Sequence, residues 1–180
     1  MLLLSGGFTK GKGQLVAVDI AEELSQRGFG FIMVLAGIIY QGKESSQYYE
    51  KVKCAIEQKG LNEKVFLVVN KHNILNYVKS CDILIHPSES EGFGLAVLEA
   101  QAFGKPVIVN AVGGVTDLVL HQFTGMIPRH NNVSDYADYI IELMLNPEKY
   151  RFISNNAKRL AETCFSPQVQ FEQLKKVFES

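Results

Sequence analysis

The sequence predicts a doubly wound α/β fold built on a parallel sheet, and three observations carry the prediction. Short apolar runs recur along the chain, at Leu2 to Ser5, Phe31 to Ala36, Val65 to Val69, Ile83 to His86, Val107 to Asn110 and Thr124 to Ile127. Runs of this kind suit strands that are buried on both faces, as in a parallel sheet. Helical patterns separate them, which is the strand–helix alternation of this class. Glycine-rich turns follow the first, fourth and fifth runs, and in open α/β sheets ligands collect beyond the carboxyl ends of the strands.

Composition bounds the rest. With 180 residues, 47% of them hydrophobic and 21% charged, the chain can bury a core of its own, and residues 1–180 read as one domain. The net charge is −1 and Lys and Arg form no stripe, so nothing argues for nucleic acid. No apolar run approaches the length of a membrane span, and Met1-Leu-Leu-Leu is too short for a signal peptide. Cys54, Cys81 and Cys164 have no metal or redox spacing, and their odd number points to reduced thiols in a cytoplasmic protein.

The first strand leads into Ser5-Gly-Gly-Phe-Thr-Lys-Gly-Lys-Gly13 and then a helix with apolar Leu15, Val18, Ala21 and Leu24. Glycines and two lysines suit a phosphate cradle, although the loop is neither a Walker loop nor a complete dinucleotide fingerprint, and a surface turn is the plain alternative. After the second strand Gly37 opens a loop, and a helix from about Gln47 to Gln58 packs through Tyr49, Val52 and Ile56. The third strand ends at Asn70-Lys71-His72, which is either a ligand contact or a simple turn.

The fourth strand, closed by Pro87, is followed by the densest chemistry in the chain, Ser88-Glu-Ser-Glu-Gly-Phe-Gly94 and the helix after it. Leu95, Leu98 and Ala102 recur at helical spacing while Ala96, Val97, Ala100 and Phe103 make the other faces apolar, so this helix is expected to be largely buried. Glu99 on such a helix is costly unless something hydrogen-bonds it. A polar ligand is one partner; the helix dipole, at about 0.3–1 kcal/mol, is the modest alternative. Glu91 precedes Gly92-Phe93-Gly94, where the backbone can approach a ligand and free N–H groups can hold an anion. His86 reads as a pocket wall rather than a base, and His72, His121 and His130 as solvated loop residues. Ser88 and Ser90 lack the frame of a hydrolase nucleophile.

Val112-Gly-Gly-Val115 opens a short helix, and the turn His121 to Gly125 launches the sixth strand. A helix from Val133 carries Tyr136, Ile140, Leu143 and Met144 to the break at Asn146-Pro147. A second, about Glu148 to Thr163, precedes a last one that begins at Phe165-Ser-Pro167 and bears Val169, Leu174, Val177 and Phe178.

Glu91 and Glu99 together form Glu-x7-Glu within Pro-Ser-x-x-Glu-Gly-Phe-Gly-Leu-x-x-x-Glu-Ala, a string that resembles the retaining family-four glycosyltransferases of the GT-B fold. The resemblance runs over essentially the whole chain and implies a Rossmann-like, donor-binding C-terminal half. An N-terminal acceptor domain of comparable size would be the partner, and the last helix would cross back to pack on it. In that family the first Glu lies beside the donor hexose and the second holds the ribose. Those roles fall on Glu91, as catalytic residue, and Glu99, with amides of Phe93, Gly94 and Leu95 on the diphosphate. Lys12-Gly13 matches the family's Lys-Gly, whose lysine also meets the diphosphate beside Gly6 and Gly7, and Asn70 falls where the nucleobase is held. Gly113 and Gly114 are turns near the sugar or purely structural ones. Gly7 stands where relatives carry arginine, a departure that weakens donor binding or shifts work to Lys10.

The implied activity is transfer of a hexose from a nucleotide-diphosphate sugar, such as a UDP- or GDP-hexose, to a saccharide or lipid-linked acceptor with retention and without metal or cofactor. The missing domain would provide any peripheral association with the inner face of a membrane. A non-catalytic nucleotide-sugar-binding or interaction module is the alternative, favoured by Gly7 and the chain length, and a sugar-nucleotide epimerase is a third. The intact Glu-x7-Glu string favours transferase over epimerase.

Overall fold

A computed structural model describes residues 1–70 and 73–179. Along the chain run β1 (Leu2–Ser5), α1 (Gln14–Gln26), β2 (Met33–Gly37), α2 (Lys43–Gln58), β3 (Val65–Val69), α3 (Ile74–Ser80), β4 (Ile83–His86), α4 (Leu95–Ala102), β5 (Val107–Val109), α5 (Val115–Leu118), α6 (Val133–Leu145), α7 (Pro147–Cys164) and α8 (Pro167–Phe178). The five strands form one parallel sheet in the order β3-β2-β1-β4-β5.

Alternation along each strand supplies two cores. Leu2 and Leu4, Met33 and Leu35, and Ile83 and Ile85 point to the face covered by α1, α2 and α6. Leu3, Val34, Ala36, Leu84, Val107 and Val109 point to the other, against α4 and α5. The chain winds β1 to β3 in one direction and then crosses back to β4 on the opposite side of β1. The order therefore reverses between β1 and β4, and their carboxyl ends flank the crevice that this reversal opens. Helix α7 is lashed down by Tyr150, whose hydroxyl donates to the Asp82 carbonyl at 2.8 Å, and by Ser154, which bonds the Gly104 carbonyl.

Several sequence expectations need correction. Thr124 to Ile127 is no strand: Met126 alone bridges Ile108, with Val109 N–H to Met126 O and Met126 N–H to Val107 O both at 2.9 Å. Thr124 is held in a turn by its N–H bond to Leu120 O, and Pro128 offers no donor, so the pairing cannot extend. The helix after Gly94 is not largely buried. Val97, Ala100 and Gln101 are covered by the sheet and neighbouring helices, but Leu95, at the helix start, is 65% exposed and Phe103, just past its end, 39% exposed. Helix α2 starts at Lys43, ahead of the expected Gln47, and β2 starts at Met33 rather than Phe31. Helix α8 leaves Phe171, Leu174, Val177 and Phe178 exposed. The readings that fell on Lys71 and His72 lie outside the described residues.

Candidate functional site

The loops after β1 and β4 meet at the reversal. Gly6 N–H and Phe8 N–H bond Ala36 O and Ile38 O, each at 2.9 Å, which aligns the first loop with the end of β2. The carbonyls of Gly6 and Gly7 turn inward to Gln14 Nε2, at 3.2 and 2.9 Å. Gln14 is wholly buried and was not anticipated from the sequence; the available signal was a polar residue on the apolar face of α1. Among the described residues the Gly7 N–H meets no acceptor.

The same loop is stitched to the turn after β4. Glu89 N–H donates to Gly11 O at 2.9 Å, and Gly13, at φ +75, lies so close that a Cβ would stand 2.3 Å from Pro87 O. This stitching brings Lys12 to Glu91. Lys12 Nζ lies 2.7 Å and His86 Nε2 2.9 Å from the same carboxylate oxygen, Oε2 of Glu91. Both donors go to one oxygen, so Oε1 is left for a ligand.

Burial, the largest influence on Glu91, pushes its carboxyl up, but the Lys12 hydrogen bond with the charges of His86 and Lys12 outweighs it and the net shift is downward. His86 is buried, and that burial moves its acid constant below the ordinary value despite the pull of Glu91. A neutral His86 facing a carboxylate carries its proton on Nε2, since the carboxylate can only accept. Nδ1 is then a bare acceptor, and it has no partner among the described residues. His86 is thus more than the pocket wall expected: it grips Glu91.

Gly92 to Gly94 form the floor beside this cluster. Gly114 N–H bonds Gly92 O at 2.9 Å, and a Cβ on Gly113, at φ +53, would sit 1.8 Å from Glu91 O. Gly113 therefore presses directly on the Glu91 backbone and Gly114 on that of Gly92 and Phe93. Helix α4 begins from Gly94 with no side-chain cap, and the N–H groups of Phe93, Gly94, Leu95 and Ala96 have no acceptor among the described residues. Orphan amides of this kind at a helix start are where an anion binds.

Glu99 is one turn further along α4 and differs in every respect. It edges a cavity of about 250 Å³ lined by Leu95, Leu98, Ala102, Phe165 and Pro167. No described side chain pairs with it, and burial alone raises its carboxyl. Phe93, 40% exposed, meets Phe165 with ring centroids 5.8 Å apart.

Other predicted residues fall into place around these two. Asn70 adopts φ 52 and its Oδ1 accepts from Ile39 N–H at 3.1 Å, so it closes a turn at the β3 edge of the sheet. At Gly7 the ring of Tyr40 fills the space where a side chain would begin. His121 is not simply solvated, because Nδ1 accepts from Ile127 N–H at 2.9 Å. All three cysteines are free, and burial pushes the Cys81 thiol up to about 11.

Comparison with known proteins gives a consistent picture. The profile of the family described as glycosyl transferases group 1 matches residues 1–160. An uncharacterized glycosyltransferase of Methanocaldococcus jannaschii is 27% identical over 178 residues, covering 98% of this chain and 47% of the relative. A solved glycosyltransferase of Rickettsia africae superposes with a TM-score of 0.89 at 25% identity, covering 99% of this chain and 47% of that one. Anabaena Alr3699/HepE, solved in complex with UDP-glucose, shares the fold with a TM-score of 0.88 at 23% identity, over 99% and 48% of the two chains. The chain spans about half the length of these three relatives.

Proposed function

A chain that matches the group 1 glycosyl transferases over residues 1–160 belongs to that family, and from this premise we propose that it is the donor-binding, C-terminal half of a retaining, cytoplasmic hexosyltransferase. One observation carries the reading: Lys12, Glu91 and His86 meet at the sheet's reversal beside the amides at the start of α4, which are unpaired among the described residues. A donor with two phosphates and a neutral sugar fits that arrangement. The amides from Phe93 to Leu95, with Gly6, Gly7 and the remaining hydrogens of Lys12, take the diphosphate and stabilise the charge that develops on it as it leaves. Glu91 turns Oε1 to the hexose and supports an oxocarbenium-like transition state. Glu99 accepts from the ribose, a role that suits a carboxylate with no side-chain partner among the described residues, and the amide nitrogen of Asn70 reaches the base. UDP and UDP-glucose, bound by Anabaena Alr3699/HepE, are the first donors to try.

Transfer needs an acceptor, saccharide or lipid-linked, held close to the anomeric carbon, and orientation of that kind supplies about 7–11 kcal/mol of a barrier. The described residues form one wall of such a cleft, so the 180 residues alone bind the donor without transferring its sugar. Any membrane association would come through the acceptor domain. The test is thermal-shift titration of the chain with UDP, GDP and ADP sugars, followed by transfer assays with and without the acceptor domain in trans. A UDP sugar should raise the melting temperature. If none of the three families does, the donor site is refuted; robust transfer by the chain alone, abolished by Glu91→Ala, refutes the half-enzyme reading.

A further inference from the structure

Tyr40 follows β2 at the same end of the sheet as Lys12 and Glu91, and its ring lies across the first glycine loop. A Cβ built on Gly7 would stand 2.4 Å from Tyr40 Cε2 and 2.7 Å from the phenol oxygen, so only glycine lets the ring settle there. The ring's place is built. Tyr40 N–H donates to Ser45 Oγ at 3.0 Å, and the buried Ser45 hydroxyl donates to Phe8 O at 2.8 Å, tying the tyrosine to the loop it covers. Yet the ring is 52% exposed, and among the described residues its hydroxyl has no hydrogen-bond partner. The phenol oxygen thus lies against the Gly7 backbone, whose amide is also unpaired among the described residues. Alongside, the Lys12 carbon chain lies over Gly6, with Cδ 3.7 Å from where a Gly6 Cβ would be. An amide, a phenol and an ammonium thus line one short arc of donors, while the loop's carbonyls are turned away to Gln14.

We propose that Tyr40 is a ligand-binding residue whose hydroxyl donates a hydrogen bond to the phosphate chain of the nucleotide sugar, beside the Gly7 amide. This rests on the reading of the site as a nucleotide-sugar site. A phenol adds a neutral donor beside the Gly7 amide and the Lys12 ammonium, and its ring covers the glycine backbone below. The same geometry explains why a larger residue cannot stand at Gly7 while Tyr40 is in place.

Calorimetric titration of the chain, Tyr40→Phe and Tyr40→Ala with UDP and with uridine tests this. Tyr40→Phe should weaken UDP about tenfold, the effect of losing a hydrogen bond to a charged group, and leave uridine unchanged. Because the ring is half exposed, the melting temperature should not move. Gly7→Ala, which pushes the ring aside, should reproduce the loss in the wild-type background and add nothing to Tyr40→Ala. Equal UDP affinity for wild type and Tyr40→Phe overturns the proposal. So does tighter UDP binding by Tyr40→Ala, which would make the ring an obstacle. If wild type itself binds no UDP, the nucleotide-sugar reading fails first and this one with it.

Discussion

Glu91 and Glu99 sit at the two ends of the same turn and first helical coils, and their surroundings are opposite. Glu91 is held before any ligand arrives: two donors converge on one oxygen, Gly113 presses on its backbone, and its carboxyl is kept below the usual range. Glu99 faces a largely apolar cavity with no side-chain partner among the described residues, and burial alone pushes its carboxyl up. The contrast separates two ways to keep a carboxylate in a fold. One group is oriented by the protein and acts with a fixed charge; the other carries a desolvation cost that only a ligand's hydroxyls relieve.

The comparison breaks most completely at Gly113. A methyl group there would meet the Glu91 carbonyl oxygen at 1.8 Å in a left-handed conformation, so Gly113→Ala should cost about 1–3 kcal/mol in urea unfolding and abolish sugar-nucleotide binding. Wild-type stability and affinity in that variant would show that the contact does not hold Glu91.

Removing the cation tests the Glu91 side more gently. Lys12→Ala should weaken nucleotide-diphosphate binding by roughly 1–3 kcal/mol with the fold intact. Unchanged calorimetric affinity would take Lys12 out of the site.

Acid separates the pair by sign. His86 and Glu91 have folded acid constants below their ordinary values of 6.5 and 4.5, so their contribution is present above those values and is lost as pH falls toward and below them. Glu99, shifted up, contributes stability at low pH that is lost as pH rises through its folded value. Urea titrations from pH 8 downward should therefore show stability falling from about pH 6.5, with His86→Asn flattening the upper part of that fall. A slope that is the same in wild type and His86→Asn would show that His86 is not held neutral.

The smallest effect belongs to Glu99→Gln. At pH 7 it should leave the melting temperature unchanged or slightly higher, whereas Glu91→Gln lowers it. The same Glu99→Gln change should reduce the preference for ribo- over deoxyribonucleotides. Equal binding of both sugars by wild type and variant would leave Glu99 as a helix-start carboxylate.

How much of this could be read from the sequence follows from the range of each interaction. Strands β1 and β4 are legible because burial on both faces writes a continuous apolar run, β3 because its run Val65 to Val69 is as apolar although it edges the sheet with Phe66 exposed, and Glu91 and Glu99 stand out because carboxylates beside apolar helix residues are costly. The pairing at Met126 was not legible, since a turn and Pro128 limit it to a single bridge. Exposure of Leu95 depends on what packs against α4, which no local pattern states. His86 on Glu91 and Gln14 on the glycine carbonyls arise from folding, and Tyr40 over Gly7 joins residues from different loops. The glycine at position 7 was visible as a departure; the ring that requires it was not.

The bond from Glu89 N–H to Gly11 O has a kinetic meaning. The donor belongs to one loop and the acceptor to the other, and because both are backbone groups only a proline at position 89 would delete the bond. Separation of the loops by a few ångströms exposes this amide to solvent. Its deuterium exchange rate in the free chain therefore reports how often the crevice between β1 and β4 opens. A donor that bridges Lys12 and the α4 amides should slow that exchange, whereas amides in the middle of β1 continue to report unfolding of the whole sheet.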